Sequence, residues 1–146
     1  MDDYAPMLNA NLDGWNRAMG VRFVRVTLDE VVAEWTIGAE HLQAYGIVHG
    51  GVHCGVIETL ASVGAAMNAL KDGRSVVGLE NTTSFLHAVR AGTLTATAHP
   101  IVRGRRTQVW EANVKDEKGR LVATGRVRLM VLEADTNLAG KKIGLE

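Results

Sequence analysis

The sequence is most informative first for what it has little of. Cysteine occurs once, as Cys54, so no internal disulfide framework exists and a reducing compartment is the expected setting. Neither sign of charge is in excess: 16 lysines plus arginines balance 16 aspartates plus glutamates, which points to no nucleic-acid and no membrane partner. No run approaches the roughly 18–20 uncharged apolar residues of a membrane span. Residues 50–70 come nearest, but His53, Glu58 and many small side chains interrupt them. The N-terminus opens on two aspartates and lacks the basic, then apolar, pattern of a secretory signal, so a cytoplasmic protein is expected. Internal repeats, low-complexity segments and composition shifts are also missing. The 146 residues read as a single domain, 1–146, long enough to bury a real core.

What is present is ordinary in bulk, at 47% hydrophobic and 22% charged, and specific in pattern. Met7, Leu8, Leu12, Trp15 and Met19 fall at helical spacing and predict one short N-terminal helix within residues 1–20. VRFVRVTL and VVAEWTI alternate about a turn at 27–30 and predict a hairpin. After the glycine-containing connection GAEHLQAYGIVHGG, residues 51–70 predict a long helix stopped at KDGR. Val52, Val56, Leu60, Val63, Met67 and Leu70 form its buried stripe. Glu58 projects away from that stripe, on a face shared with Cys54, Ser62 and Ala65. Burying an unpaired charge is costly, so a carboxylate among small neighbours needs a reason.

Beyond Arg74, four β-branched segments are divided by Arg90-Ala91-Gly92, by Gly104-Arg105 and by the turn DEKGR. Residues 134–146 read as a polar, flexible tail. The order predicts an α+β domain in which an antiparallel sheet of about six strands is covered by its one long helix.

The segment Gln43-Ala-Tyr-Gly-Ile-Val-His49-Gly50-Gly51 leads into that helix, Glu58 follows nine residues after His49, and Ser62 follows four after Glu58. This combination resembles the hot-dog-fold acyl-CoA thioesterases. It is most similar to the branch acting on aroyl-CoA and phenylacetate-type thioesters, which includes the 1,4-dihydroxy-2-naphthoyl-CoA thioesterases. The similarity runs from about Leu12 to Leu132 and includes VVGLE and RRTQVWEANVKDEKGRLVATGR.

The resemblance implies a hot-dog fold and hydrolysis of an acyl-CoA, with an aromatic or other compact acyl group, to free acid and coenzyme A. Gly50, with Gly51 beside it, would polarise the thioester carbonyl through its N–H at the positive end of the helix. Glu58 would act as nucleophile or as general base on water. Gln43 and His49 would orient thioester and water, with Ser62 and Cys54 on the acyl side. Phe85, Leu86 and His87, together with Arg103, Gly104, Arg105, Arg106 and Thr107, would hold coenzyme A, whose phosphates suit arginine forks. Where the family often reads Asn-His-x-Arg, this chain has Ser84-Phe85-Leu86-His87, so one cationic contact is either absent or supplied by Arg90.

Each role has a plainer rival. Glu58 as an ion-pair partner of Arg22 or Arg25, His49 as a helix-entry residue bonded to backbone, Gln43 as a solvated loop residue, Ser62 and Cys54 as small packing residues, and the arginine turn as a basic hairpin in water all remain open. His53 reads as structural. His49 and His53 have the spacing of a helical zinc pair, but a third ligand is missing and Gly50 follows His49, so no metal is expected. No cofactor is implied, since coenzyme A is part of the substrate. A non-catalytic acyl-CoA-binding module and a hot-dog dehydratase or hydratase are the competing functions. An edge strand and a partly covered sheet imply a homo-oligomer; the resemblance implies subunits joined edge to edge with the active site at the dimer interface, and a dimer of dimers is expected.

Overall fold

The computed structural model describes residues 2–143. Helices α1 (Ala5–Ala10) and α2 (Gly14–Ala18) precede strands β1 (Arg22–Val26) and β2 (Val31–Thr36). The long helix α3 (Gly50–Leu70) is followed by β3 (Ser75–Phe85), β4 (Thr93–Arg103), β5 (Thr107–Lys115) and β6 (Leu121–Leu132). The six strands form one antiparallel sheet in the order β1-β2-β4-β5-β6-β3, which wraps α3. This is the predicted α+β architecture.

Three local expectations are corrected. The N-terminal helix is two helices, because Asp13 adopts an extended cap, its carboxylate accepts the Gly14 N–H at 2.7 Å, and Gly14 takes a φ of +55°. The helix stops and restarts there. The tail is not simply frayed: β7 (Asn137–Leu138) and β8 (Lys141–Lys142) pair as a small hairpin. Its two-residue turn has φ +48° at Ala139 and +80° at Gly140, the sign combination that matches strand twist. Residues 144–146 of that expectation lie outside the described residues. Finally, the apolar stripe of α3 does not run to its end, since Leu70 is 44% exposed and Val63 only half-buried. Ile57, Ala61 and Ala65 widen the buried band instead, and the Trp110 ring fills the space that a Cβ on Gly64 would take.

The two edges of the sheet are finished differently. On β1, Asn9 brackets Phe23, accepting its N–H at 2.9 Å and donating to its carbonyl at 2.8 Å. Asp3 accepts the Val26 N–H at 2.9 Å, and Tyr4 N–H donates to the Val26 carbonyl at 2.8 Å. The N-terminal segment thus satisfies that edge. At the other edge, none of the eleven residues of β3 is buried. Such an edge is a ready template for another strand.

Candidate active site

Glu58 stands in the middle of α3, half-buried, facing β3 across a cleft of about 440 Å³. The cleft is lined by Cys54, Gly55 and Glu58 from the helix and by Gly78, Leu79, Glu80 and Asn81 from the strand. The Asn81 amide donates to Glu58 Oε2 at 3.1 Å, and the Ser62 hydroxyl reaches Oε1 at 3.5 Å. Gly78 leaves room for the carboxylate, because a Cβ there would collide with Oε1. The arginine rivals are engaged elsewhere: Arg22 pairs with Glu34, and Arg25 with Glu30 at 3.5 Å. Among the described residues no cation lies within ion-pair distance of Glu58.

Ala65, expected on the Glu58 face, is fully buried, and its carbonyl accepts a hydrogen bond from Gln108 of β5 at 3.3 Å. The open surface beside Glu58 is therefore made by Cys54 and Ser62 alone of the small residues anticipated there.

The connection before α3 is tightly built. Leu42 and Val48 bridge, Gln43 N–H donates to the Ile47 carbonyl at 2.9 Å, and Val48 N–H donates to the Val89 carbonyl at 2.9 Å. Arg90 clamps the loop by donating to the Tyr45 carbonyl at 2.6 Å. The Gln43 side-chain oxygen accepts the Tyr45 N–H, so this residue is part of the turn rather than freely solvated. His49 caps the helix: its Nδ1 accepts the Gly51 N–H at 2.8 Å. That bond assigns the proton of the neutral ring to Nε2, on the exposed side. The helix-entry rival for His49 is thus what Nδ1 does, and it leaves Nε2–H free as a donor. As the first helical residue, Gly50 has an N–H with no intrahelical acceptor. The space a Cβ would take on Gly50 is filled by the Phe85 ring, whose Cζ would stand 2.8 Å away.

His53 is 3% exposed, between the rings of Trp35 and Phe85, both 6.2 Å away by centroid. Burial lowers its pKa to about 4, so it is neutral and structural at ordinary pH.

Within one chain the two groups of coenzyme A candidates stand at opposite ends of α3. Phe85, followed by Leu86 and His87, covers the N-terminal end at Gly50. The Arg103–Thr107 turn lies at the other end: Arg103 Nη1 donates to Asn68 Oδ1 at 3.4 Å and to Asp29 Oδ1 at 2.7 Å. Eighteen residues of helix separate Gly50 from Asn68, about 27 Å. Arg105 and Arg106 are exposed and, among the described residues, pair with no carboxylate. Gly50 and Glu58 are themselves about 12 Å apart along the axis.

Sequence reasoning missed Asn81, Gly78 and the Arg90 clamp. VVGLENTTSF reads as plain alternation, but the pairing of β3 with β6 shifts between Gly78 and Glu80, a β-bulge. The opposing strand, which defines it, is fifty residues away in sequence and leaves no local signal.

Residues 45–123 match the family model described as Thioesterase superfamily. The Mycobacterium tuberculosis protein Rv1847 is 41% identical over 118 residues, covering 80% of this chain and 84% of that protein. Its solved structure superposes with a TM-score of 0.81 at 39% identity, covering 82% of this chain and 97% of the other. The 1,4-dihydroxy-2-naphthoyl-CoA hydrolase of Listeria monocytogenes is 34% identical over 118 residues, 81% of this chain and 95% of that enzyme. A Staphylococcus aureus thioesterase, solved as a glutamate-to-alanine and as a glutamine-to-alanine variant, aligns at 26% and 25% identity with TM-scores of 0.78. Both structures cover 81% of this chain and 98% of their own. The six-stranded sheet around α3 is accordingly a hot-dog fold, and the chain belongs to the thioesterase superfamily as a thioester hydrolase.

Proposed function

We propose that the protein hydrolyses an acyl-CoA thioester carrying an aromatic or other compact acyl group, with Glu58 as the attacking or base carboxylate. The observation that carries this reading is a carboxylate with no counter-cation among the described residues, held by Asn81 and Ser62 in an open cleft. The glutamine and glutamate substituted in the S. aureus variants are separated by the same number of residues as Gln43 and Glu58. The Listeria relative, a hydrolase of an aromatic acyl-CoA, supports the acyl class.

The chemistry needs donors on the developing oxyanion and a nucleophile on the carbonyl carbon within about 3.5 Å. The N–H of Gly50 supplies the first, aided by the helix dipole, and His49 Nε2–H stands beside it. Glu58 either attacks the carbon directly, expelling the coenzyme A thiolate and leaving an acyl anhydride that water then hydrolyses to the free acid, or takes a proton from a water that attacks the carbon itself and expels the thiolate. Gly50 and Glu58 of one chain are too far apart for this, so the reading requires two copies. The bare β3 edge favours a two-fold pair. A two-fold axis normal to the sheet runs the two α3 helices antiparallel, bringing the start of one beside the middle of the other. It also brings one copy's arginine turn toward the Phe85 end of the other, uniting the coenzyme A candidates. A dimer of such dimers, working without a cofactor in the cytoplasm, completes the proposal.

The test is release of free thiol from benzoyl-CoA and phenylacetyl-CoA, followed with a thiol reagent. Turnover is expected, and Glu58→Ala should lower it about 10²- to 10⁴-fold with the fold intact. Tight binding of both thioesters without turnover would replace this reading with that of a binding module.

A further inference from the structure

We propose that Asn81 is the positioning residue of this site: it anchors one oxygen of Glu58 and leaves the other presented to the acyl carbon. The inference rests on Glu58 being the reactive carboxylate. Asn81 Nδ2 donates both to Glu58 Oε2 and to the Cys54 carbonyl, each at 3.1 Å, tying strand, helix backbone and carboxylate together. Its own orientation is set by Thr83, whose hydroxyl donates to Asn81 Oδ1 at 2.7 Å. A flipped amide would put oxygen against two acceptors and lose the Thr83 bond, so only one orientation satisfies all three partners. Oε2 is thereby occupied. Oε1 has only the long Ser62 contact and points at the gap above Gly78.

The strand is built to deliver this amide. Gly78 lies opposite Leu129, Glu80 opposite Arg128 and Asn81 opposite Val127. Leu129 and Val127 are buried on the face toward α3, whereas Arg128 is exposed. Leu79 is the extra residue of the bulge, and it reverses the alternation. In an unbulged strand the residue two after Gly78, Glu80, would stand against Glu58, and two carboxylates would repel. The bulge turns Glu80 outward to Arg128, 3.9 Å away, and puts a neutral donor in its place.

The full-length protein carrying Asn81→Ala, Asn81→Asp or Thr83→Val tests this with benzoyl-CoA. Asn81→Ala should lower kcat about 10- to 100-fold with KM changed less than about twofold, because the carboxylate is misplaced while binding surfaces remain. Thr83→Val should give a smaller loss of the same kind. Asn81→Asp, nearly isosteric, should move the acid limb of kcat/KM to higher pH, since a like charge disfavours a carboxylate. The other titratable residues lining the cleft are Cys54 on α3 and Glu80 on β3, whose carboxylate is turned outward to Arg128. A packing role alone would not move that limb. Should Asn81→Ala fail to fold, Asn81→Asp decides alone. Wild-type kcat and an unmoved acid limb in these variants, with Glu58→Ala inactive, would overturn the role of Asn81 and keep that of Glu58. Full activity in Glu58→Ala would instead remove the reading on which the inference rests.

Discussion

Glu58 and Ala65 stand seven residues apart on α3, within about 20° of each other around its axis, yet one is half-open and the other fully buried. The helix alone cannot account for that difference. At Ala65 the curl of the sheet brings Gln108 and Trp110 of β5 against the helix. At Glu58 the facing strand is β3, the last of the sheet, with Gly78 in place of a side chain. A half-buried carboxylate is thus tolerated where the wrapping ends.

The sharpest way to break this comparison is to exchange the chemistry of the two positions. Ala65→Glu places a charge in a dry site with no partner, and it should abolish soluble folded protein, because an uncompensated buried charge costs several kcal/mol or more. Circular dichroism and yield of soluble protein check it. Recovery of a well-folded variant would show that the sheet does not seal this part of α3. Glu58→Gln should do the opposite, lowering thiol release about 10²- to 10⁴-fold while the urea midpoint hardly moves.

Two smaller effects sharpen the picture. His53 is held neutral in the fold, with its pKa lowered from 6.5 to about 4 by burial, while the unfolded chain protonates at its ordinary value. Stability is therefore fully present above pH 6.5 and lost as pH falls toward 4, by on the order of 1–3 kcal/mol. Urea midpoints at pH 7.5 and 4.5 should show that loss, and His53→Leu should flatten it. An unchanged slope in the variant would assign the acid sensitivity to other groups. Thr59 neighbours Glu58 but bonds away from the cleft, its hydroxyl donating to Asn16 Oδ1 at 2.7 Å. Thr59→Val should cost about 1 kcal/mol of stability and leave kcat within twofold, separating the clamp on α2 from the Glu58 cleft.

Most of the fold was legible because its signals are local. Alternation in VVAEWTI, the apolar recurrence from Val52 to Met67 and the turn DEKGR each specify an element within a dozen residues. The break at Asp13-Gly14 was also written locally and outweighed a weak helical period. The candidate site was legible only in the half formed by α3 and the loop before it, where Gln43, His49, Gly50 and Glu58 fall at the spacing of the resembling family. Its other half comes from β3, whose bulge depends on pairing with β6. Asn81 and Glu80 cannot be assigned to faces until that pairing is known. The opposite placement of the arginine turn and Phe85 is likewise a property of topology, visible in neither motif.

The stitching of β1 by Asp3, Tyr4 and Asn9 bears on how this protein behaves at high concentration. A sheet with both sides open recruits neighbours without end and grows into fibres, whereas one with a single unsatisfied side can join one partner and then has nothing left to offer along that direction. Asp3, Tyr4 and Asn9 would thereby make any strand-to-strand association self-terminating. Loosening them through Asp3→Ala together with Asn9→Ala should turn a discrete assembly into one whose size climbs with concentration in light scattering.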